Sequence, residues 1–548
     1  MNTVNLSLPA EKLTYWMVQD SHREVLFQPR GGQMLTFTWK EIDTEARKLL
    51  SFFRAQGLKS GDKVAILSKN CAHWIIADIA LMYGGLVSIP IYPTANAETI
   101  SYVLEHSESK MMLVGKLDDW QSQVSGIPDT MPKVAFPYPT MPAENQWDTI
   151  MQDNEPADSV SPVAADDLMT ILYTSGSTGN PKGAMHTYQS FVNAGKNVGE
   201  RLAVTPDDRI MSYLPLSHCT ERAYVESTLL NYGLKVYFVD SLDTFAADLG
   251  YAKPTIFGSV PRLWTQFQKK ILTKMPNKKL QTLLKIPLLG GIVKNKIKKQ
   301  MGLDQTRIFI SGSAPLSEKI LHWYSKLDIN IGEGWGMTES FACGSVLGPD
   351  MEVRIGTVSK PLPGTQVIIA EDNEILLKTE SDMLGYYKEE EKTKETINED
   401  GYIHTGDLGE LKDGYLSIVG RKKDIFKTEK GKYVAPIPIE SEFGDNEYIE
   451  QMCLMGTQLV QPVLVVNLSE HAAAIEKSEL ESSLLSTLST VNSKLEAHAK
   501  VSAIIVAKQA WTTDSGELTP TLKVKRHIVE KTFLPVAQNV EKGKVSWY

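Results

Sequence analysis

Hydroxyl side chains and glycines alternate through Thr174-Ser175-Gly176-Ser177-Thr178-Gly179-Asn180-Pro181-Lys182-Gly183, with one lysine near the end. Glycines let a backbone approach a ligand and expose its N–H groups. Ser and Thr hydroxyls add donors, and Lys182 adds positive charge. A polyphosphate is the guest that suits this set. The segment is not a GxxxxGK[ST] loop, because Pro181 stands where that pattern has its second glycine.

Four further segments carry groups of complementary chemistry. In Gly332-Glu333-Gly334-Trp335-Gly336-Met337-Thr338-Glu339, an aromatic ring can stack on a base, Thr338 can donate to a phosphate, and Glu339 offers hard oxygen to Mg2+. In Tyr402-Ile403-His404-Thr405-Gly406-Asp407, the Asp407 carboxylate is a natural acceptor for two vicinal hydroxyls, whereas His404 reads as a packed or loop histidine. Ser311-Gly312-Ser313-Ala314-Pro315-Leu316 follows a β-rich run, Arg307 to Ile310. A small-residue turn there suits a nucleotide lying against backbone, though ordinary strand-to-helix turns look similar. Leu518 to Arg526 holds Lys523 and Lys525. No GxSxG elbow or Cys-His signature marks a covalent nucleophile.

Together these segments resemble the adenylate-forming superfamily of acyl-CoA synthetases, peptide-synthetase adenylation domains and luciferases. The resemblance runs in order over most of the chain. It implies that Thr174 to Gly179 and Lys182 hold the phosphates of ATP, and that Thr178 and Glu339 serve Mg2+. Ser313, Ala314, Pro315, Gly334, Trp335 and Gly336 would contact adenine, and Asp407 the ribose with support from Arg421. Trp335 stands where the family often has Tyr, a change that preserves stacking. Arg421-Lys422-Lys423-Asp424 resembles the family hinge with Lys423 as pivot, about which a small domain swings between two poses. Register makes Lys523 the catalytic lysine beside Thr338 and Glu339, with Lys525 as the alternative. Leu522 departs from a frequent glycine.

These groups need elements to position them. Thr38 and Glu41 have capping-box spacing, and Ile42, Ala46, Leu49, Leu50 and Phe53 recur at helical intervals. Strand-like runs at 63–67, 86–89, 111–114, 235–239, 255–257 and 307–310 alternate with helical patterns, which predicts βαβ units and largely parallel sheet. Pro128 to Asp167, rich in Pro, Asp, Ser and Ala, reads as surface connection. After Ile375 the texture becomes charged and turn-rich. The predicted fold is therefore α/β: a large domain over 1–420 of parallel-rich subdomains, a hinge at 421–424, and a small mobile α/β domain over 425–548.

Composition narrows the class. The 548 residues exceed one ordinary core, and 42% apolar with 22% charged residues is a globular balance. A net charge of −9 argues against nucleic acid as a partner. Cys71, Cys219, Cys343 and Cys453 are scattered, which speaks against a zinc or disulfide framework and for a reducing compartment. With neither a secretory pattern nor a spanning run, a cytoplasmic protein is expected.

Other segments resemble the long-chain fatty acyl-CoA synthetase branch: Ser212 to His218 with Glu221-Arg222, Pro254 to Leu263, and Lys430 to Pro436. They imply an acyl site at His218, Gly258 and Gly312, and a coenzyme A channel at Gly431, Lys432 and Tyr433. The implied activity is ATP-dependent conversion of a fatty acid to acyl-AMP, then to acyl-CoA. Alternatives are a ligase loading a carrier protein, a non-catalytic acid-binding scaffold and a luciferase-like oxygenase. Residues 269–299 hold ten lysines and no acid, interleaved with Leu and Ile. That pattern fits either a solvated helix pair or peripheral contact with the inner face of a membrane.

Overall fold

The computed structural model describes residues 8–118, 120–174, 180–513, 515–519 and 523–548. Ser175, Gly176, Ser177, Thr178 and Gly179 of the expected phosphate loop lie outside the described residues, as does Leu522.

Two large sheets and a core shared between them build the body. The first has seven strands in the order Ile331–Glu333, Ile308–Ser311, Ile256–Ser259, Arg209–Ser212, Lys235–Phe238, Glu24–Arg30 and Gln33–Thr38. All neighbours are parallel except the last pair. The second has eight strands: Gly385–Tyr386, Lys182–Thr187, Leu168–Thr174, Val87–Ile91, Lys63–Leu67, Met111–Val114, Lys133–Ala135 and Asn145–Gln146. Its first two pairings are antiparallel and the rest parallel. Leu26 and Val236 of one sheet and Ile66 and Leu113 of the other enter a single apolar core with Trp74, Ile76 and Phe191. The helix Ala72–Gly84 is buried at every position, as expected for an element covered on all sides.

Local chemistry explains the elements foreseen from the sequence. Thr38 caps the helix Trp39–Ala55. Its Oγ1 accepts from the Glu41 N–H at 3.2 Å, and the Glu41 carboxylate accepts from the Thr38 N–H at 2.7 Å. Ile42, Ala46, Leu49, Leu50 and Phe53 are all buried on its inner face. The stretch 128–167 differs from the expected surface connection. It adds the strands Lys133–Ala135 and Asn145–Gln146 to the sheet edge, then the helix Trp147–Asp153. Val134, Phe136, Trp147 and Ile150 bury themselves in the main core and hold this segment down. Its strands are too short for a period-two pattern to stand out.

A four-stranded antiparallel sheet, Thr365–Ile369, Glu374–Thr379, Ile403–Lys412 and Tyr415–Arg421, closes the body. The chain then turns through 421–424, where Lys422 N–H donates to Gly406 O and Asp424 N–H to Arg421 O. Beyond it stands a small α/β unit with the sheet order Ile449–Met455, Val463–Leu468, Ile504–Ala507 and Val545–Trp547, and its own core around Phe443, Leu464, Leu484 and Ile504. Polar contacts among the described residues that tie it to the body include Arg262–Glu450 at 2.5 Å, Lys319–Asp445 at 2.5 Å, Ser317 Oγ to Asp445 at 2.7 Å, and Lys269 Nζ to Glu447 O at 3.1 Å. Exposed pairs of this kind are each worth under about 1 kcal/mol.

Candidate active site

Parallel strands end together, and their carboxyl ends supply the site floor. The strand Ile308–Ser311 runs into Gly312 and the exposed turn Ser313-Ala314-Pro315, with Ser313 in the left-handed region at φ 69°. Its neighbour Ile256–Ser259 sets Gly258 opposite Ile310, and Gly312 N–H donates to Ser259 O. Next to it, Gly334 N–H donates to Ser311 O, which lays Gly334-Trp335-Gly336 alongside the turn. Glycine is needed twice around Trp335. A Cβ on Gly344 would meet the Trp335 carbonyl oxygen at 2.4 Å, and one on Gly336 would meet the Ala342 carbonyl oxygen at 2.4 Å.

Asp407 gathers the next groups. It sits opposite Arg421 in the antiparallel pair, so both side chains share a face. Arg421 Nε donates to Asp407 Oδ1 at 2.7 Å, and Trp335 Nε1 donates to Asp407 Oδ2 at 2.8 Å. One carboxylate thus fixes the indole ring from one side and the guanidinium from the other. Burial works against the charge of Arg421, but Asp407 outweighs it and holds the guanidinium protonated more firmly than usual.

Lys523 comes from the small domain to within electrostatic reach of Arg421, Asp407 and His218. Its backbone closes a turn with Thr519 through two bonds, Thr519 N–H to Lys523 O at 2.8 Å and Lys523 N–H to Thr519 Oγ1 at 3.0 Å. Lys523 keeps solvent-accessible surface, yet protein atoms crowd it. Its pKa falls below 10.5 first through desolvation and then through the Arg421 charge, with Asp407 acting in the opposite sense. The Lys523 charge also reaches His218. That imidazole is pushed down to about 4, mainly by burial, and is neutral at physiological pH. His218 Nδ1 accepts from the Thr220 N–H at 3.1 Å and so caps the short helix Cys219–Glu221. Its ring also meets Tyr92 edge-on.

Around Glu339 lies a third group. Tyr386 Oη donates to Glu339 Oε1 at 2.5 Å, and Lys182 Nζ stands over the Tyr386 ring at 4.8 Å. Desolvation lowers the Lys182 pKa, and Lys392 and Lys423 lower it further, while Glu389 and Glu339 oppose them. Lys423 therefore lies within electrostatic reach of Lys182. Thr174 ends the strand that leads into the loop and pairs with Lys182. Thr338 is held at its carbonyl by His186 Nε2 at 2.8 Å, and its Oγ1 accepts from the Cys219 thiol at 3.6 Å. Among the described residues no group of His, Cys, Asp or Glu is dense enough to hold an ion alone. A lone carboxylate at Glu339 suits Mg2+, which is commonly bound through one carboxylate plus substrate phosphates.

Not every expected residue joins this cluster. Gly431, Lys432 and Tyr433 form the exposed end of the hairpin Phe426–Lys427 to Tyr433–Val434, and their hydrogen bonds stay within it. His404 pairs with Glu374 at 3.2 Å on the body sheet. Glu221 is buried and turned toward Ser212, Tyr213 and Asn70, and burial pushes its carboxyl up to about 8. All four cysteines are buried and free. Sequence reasoning missed Tyr386, His186 and the carboxyl of Glu333, which accepts from the Leu316 N–H at 2.8 Å and is raised to about 7 by burial. Tyr386 lies 47 positions from Glu339, and no spacing pattern joins them.

Replacing Tyr386 with Phe keeps the ring beneath Lys182 and removes only the hydroxyl. A hydrogen bond to a charged group is worth about 1.5–3 kcal/mol, so kcat/KM for ATP is expected to fall about tenfold or more. Pyrophosphate release checks this, with circular dichroism confirming the fold; a change under twofold removes the role.

Comparison with known proteins places the chain in a family. Residues 15–387 match the family model of the AMP-binding enzymes, and residues 423–541 match the AMP-binding enzyme C-terminal domain. Fatty acyl-CoA synthetase A of Dictyostelium discoideum is 30% identical, over 93% of this chain and 86% of that protein. Long-chain-fatty-acid–CoA ligase FadD15 of Mycobacterium tuberculosis is 29% identical, over 87% of each chain. Among solved structures, the adenylation domain of a Mycobacterium chelonae carboxylate reductase superposes with a TM-score of 0.80 at 22% identity, covering 98% of this chain and 91% of that one. ATP-bound MatB from Rhodopseudomonas palustris gives 0.75 at 22%, covering 96% and 99%. With two thirds of the chain under one family model and its small domain under the companion model, the protein belongs to the AMP-binding enzyme family.

Proposed function

We propose that this enzyme activates a long-chain fatty acid with ATP and transfers the acyl group to coenzyme A. The observation that carries the reading is that Lys523 of the small domain lies within electrostatic reach of His218 and of the Asp407–Arg421 pair, whose carboxylate also holds Trp335. The names of the curated relatives support the acid and the thiol.

In this reading the domains are 1–420, a hinge at 421–424 and a cap over 425–548. Trp335 stacks on adenine above Ser313, Ala314 and Pro315, and Asp407, steadied by Arg421, accepts the ribose hydroxyls. Lys182 and Thr174 flank the phosphates, and Mg2+ at Glu339 would neutralise phosphate charge when bound. A carboxylate is a poor acyl donor because oxide would have to leave. Its oxygen therefore attacks the α-phosphorus, pyrophosphate departs, and the acyl carbon gains AMP as leaving group. Lys523 lies where an ammonium can bridge the carboxylate and the α-phosphate as charge shifts. Neutral, buried His218 borders the acyl end with Gly258 and Gly312, and adds no charge for an alkyl chain to meet. A thiolate arriving by Gly431, Lys432 and Tyr433 attacks the acyl carbon and expels AMP. The weak contacts between body and cap suit a domain that changes pose about Lys423.

The test is ATP-dependent thioester formation across fatty acids of rising length and aryl acids, with free coenzyme A and with a carrier protein. Long-chain acyl-CoA is the expected product. Acyl-AMP that accumulates with coenzyme A yet loads a carrier would replace this reading, as would absence of pyrophosphate release. Peripheral contact of residues 269–299 with a bilayer belongs to the same reading, because fatty acids partition there.

A further inference from the structure

The lysine-rich segment forms the crossover between the strands Ile256–Ser259 and Ile308–Ser311. Three helices span it: Pro261–Lys274, Asn277–Leu284 and Leu289–Gln300. Its inward face is already satisfied. Leu280 and Ile297 are buried with Trp264, Phe309 and Tyr324, and Leu284 and Val293 pack against them.

A second apolar set points away from that core. Leu288 is 90% exposed, Ile292 63%, Ile286 43% and Leu289 37%. Single exposed apolar residues need no explanation, but four within seven positions at one tip do. The backbone there is strained outward. Leu288 has φ 66° and ψ −48°, and Leu289 N–H donates to Pro287 O at 2.7 Å. This is a γ-turn of the rare, strained sense, adopted here by a residue with a branched side chain. Such strain concentrates where a segment binds something.

Within the segment 269–299 the charge has one sign. Lys269 is engaged by Glu447 O and Lys294 by Asp328, but Lys270, Lys274, Lys278, Lys279, Lys285, Lys296 and Lys299 are exposed. No acidic residue lies between 269 and 299, in a chain whose net charge is −9.

We infer that the turn Ile286–Ile292 is a wedge that inserts into an anionic lipid bilayer, with the surrounding lysines held at the headgroups. Apolar side chains at a tip ringed by cations match the two layers of such a surface, acyl boundary and phosphate plane. The inference deepens the reading of a fatty-acid enzyme and rests on it for its purpose. Docking would bring a lipid phase to the crossover that joins the two acyl-site strands.

The experiment uses the full chain without ATP or acid, sedimented with vesicles of phosphatidylcholine alone or mixed with phosphatidylglycerol. Binding is expected only to the mixed vesicles and is expected to weaken with salt. A Leu288→Ser/Ile292→Ser variant should bind roughly tenfold more weakly or worse, since each side chain loses its burial in lipid. A Lys278→Glu/Lys279→Glu/Lys285→Glu variant should not pellet. Neither change touches buried residues, and turnover of a short water-soluble acid should stay at the wild-type rate, which shows the fold is kept. Equal binding to uncharged vesicles, no binding, or unaltered binding by the Leu288/Ile292 variant overturns the inference. Failure of the enzyme reading would instead appear as absent pyrophosphate release with vesicle binding intact.

Discussion

Lys523→Ala is expected to slow acyl-adenylate formation by about 10²–10³-fold, the usual loss when one preorganised donor to a developing charge is removed. The two half-reactions should part company. Pyrophosphate release from ATP and fatty acid should carry the whole defect, whereas thioester formation from supplied acyl-AMP should stay within a few-fold of wild type. Lys525→Ala is the matched control, because Lys525 stands at the start of the helix Arg526–Ala537. Lys523 also predicts a pH dependence. Its ammonium is the active form, and desolvation followed by the Arg421 charge lowers its pKa below 10.5 in the free enzyme. The rate is therefore full at neutral pH and is lost as pH rises through that lowered value. kcat/KM reports the free enzyme, so the basic limb should appear there below 10.5 and vanish in Lys523→Arg. An equal defect in both half-reactions would refute the assignment.

Legibility of the site followed distance along the chain. Residues whose chemistry and neighbours lie within about ten positions could be read directly. The Thr38–Glu41 box is local, and its helix forms as expected. Asp407 and Arg421 are 14 positions apart on adjacent strands, and the structure pairs them. Glu339 and Tyr386, or Thr338 and His186, are joined only by the stacking of separate elements, which no spacing announces. Between 128 and 167 the failure had another cause. Strands of two and three residues are held by sheet neighbours and by the burial of Phe136 and Trp147, not by a pattern of their own.

The pair Glu221-Arg222 is legible as a motif, and its arginine carries the largest stability effect expected here. Both residues belong to a segment that resembles the long-chain synthetase branch, and both point into the framework. Arg222 lies in a π-helical turn and has no exposed surface. It binds Asp78 and Glu226, with Nε at 3.0 Å from Glu226, and donates to Thr170 Oγ1 at 2.7 Å. Two carboxyls facing one guanidinium leave an excess negative charge. Burial and the neighbouring Asp78 push the Glu226 carboxyl well above its usual range. Asp78 Oδ1 and Glu226 Oε1 are buried without a hydrogen-bond partner among the described residues, which makes this a costly network to disturb. Thr170 belongs to the strand Leu168–Thr174, and Asp78 to the buried helix Ala72–Gly84, so Arg222 fastens one to the other. Arg222→Met strands Asp78 as a buried uncompensated charge and should destabilise the body by about 3–5 kcal/mol. Replacing all three at once, Arg222→Met with Asp78→Leu and Glu226→Leu, should recover much of that loss, because no charge remains to be desolvated. Denaturant titration of both variants measures this. The folded fraction of Arg222→Met should keep its KM for ATP. A raised KM with unaltered stability would instead place Arg222 in the chemistry.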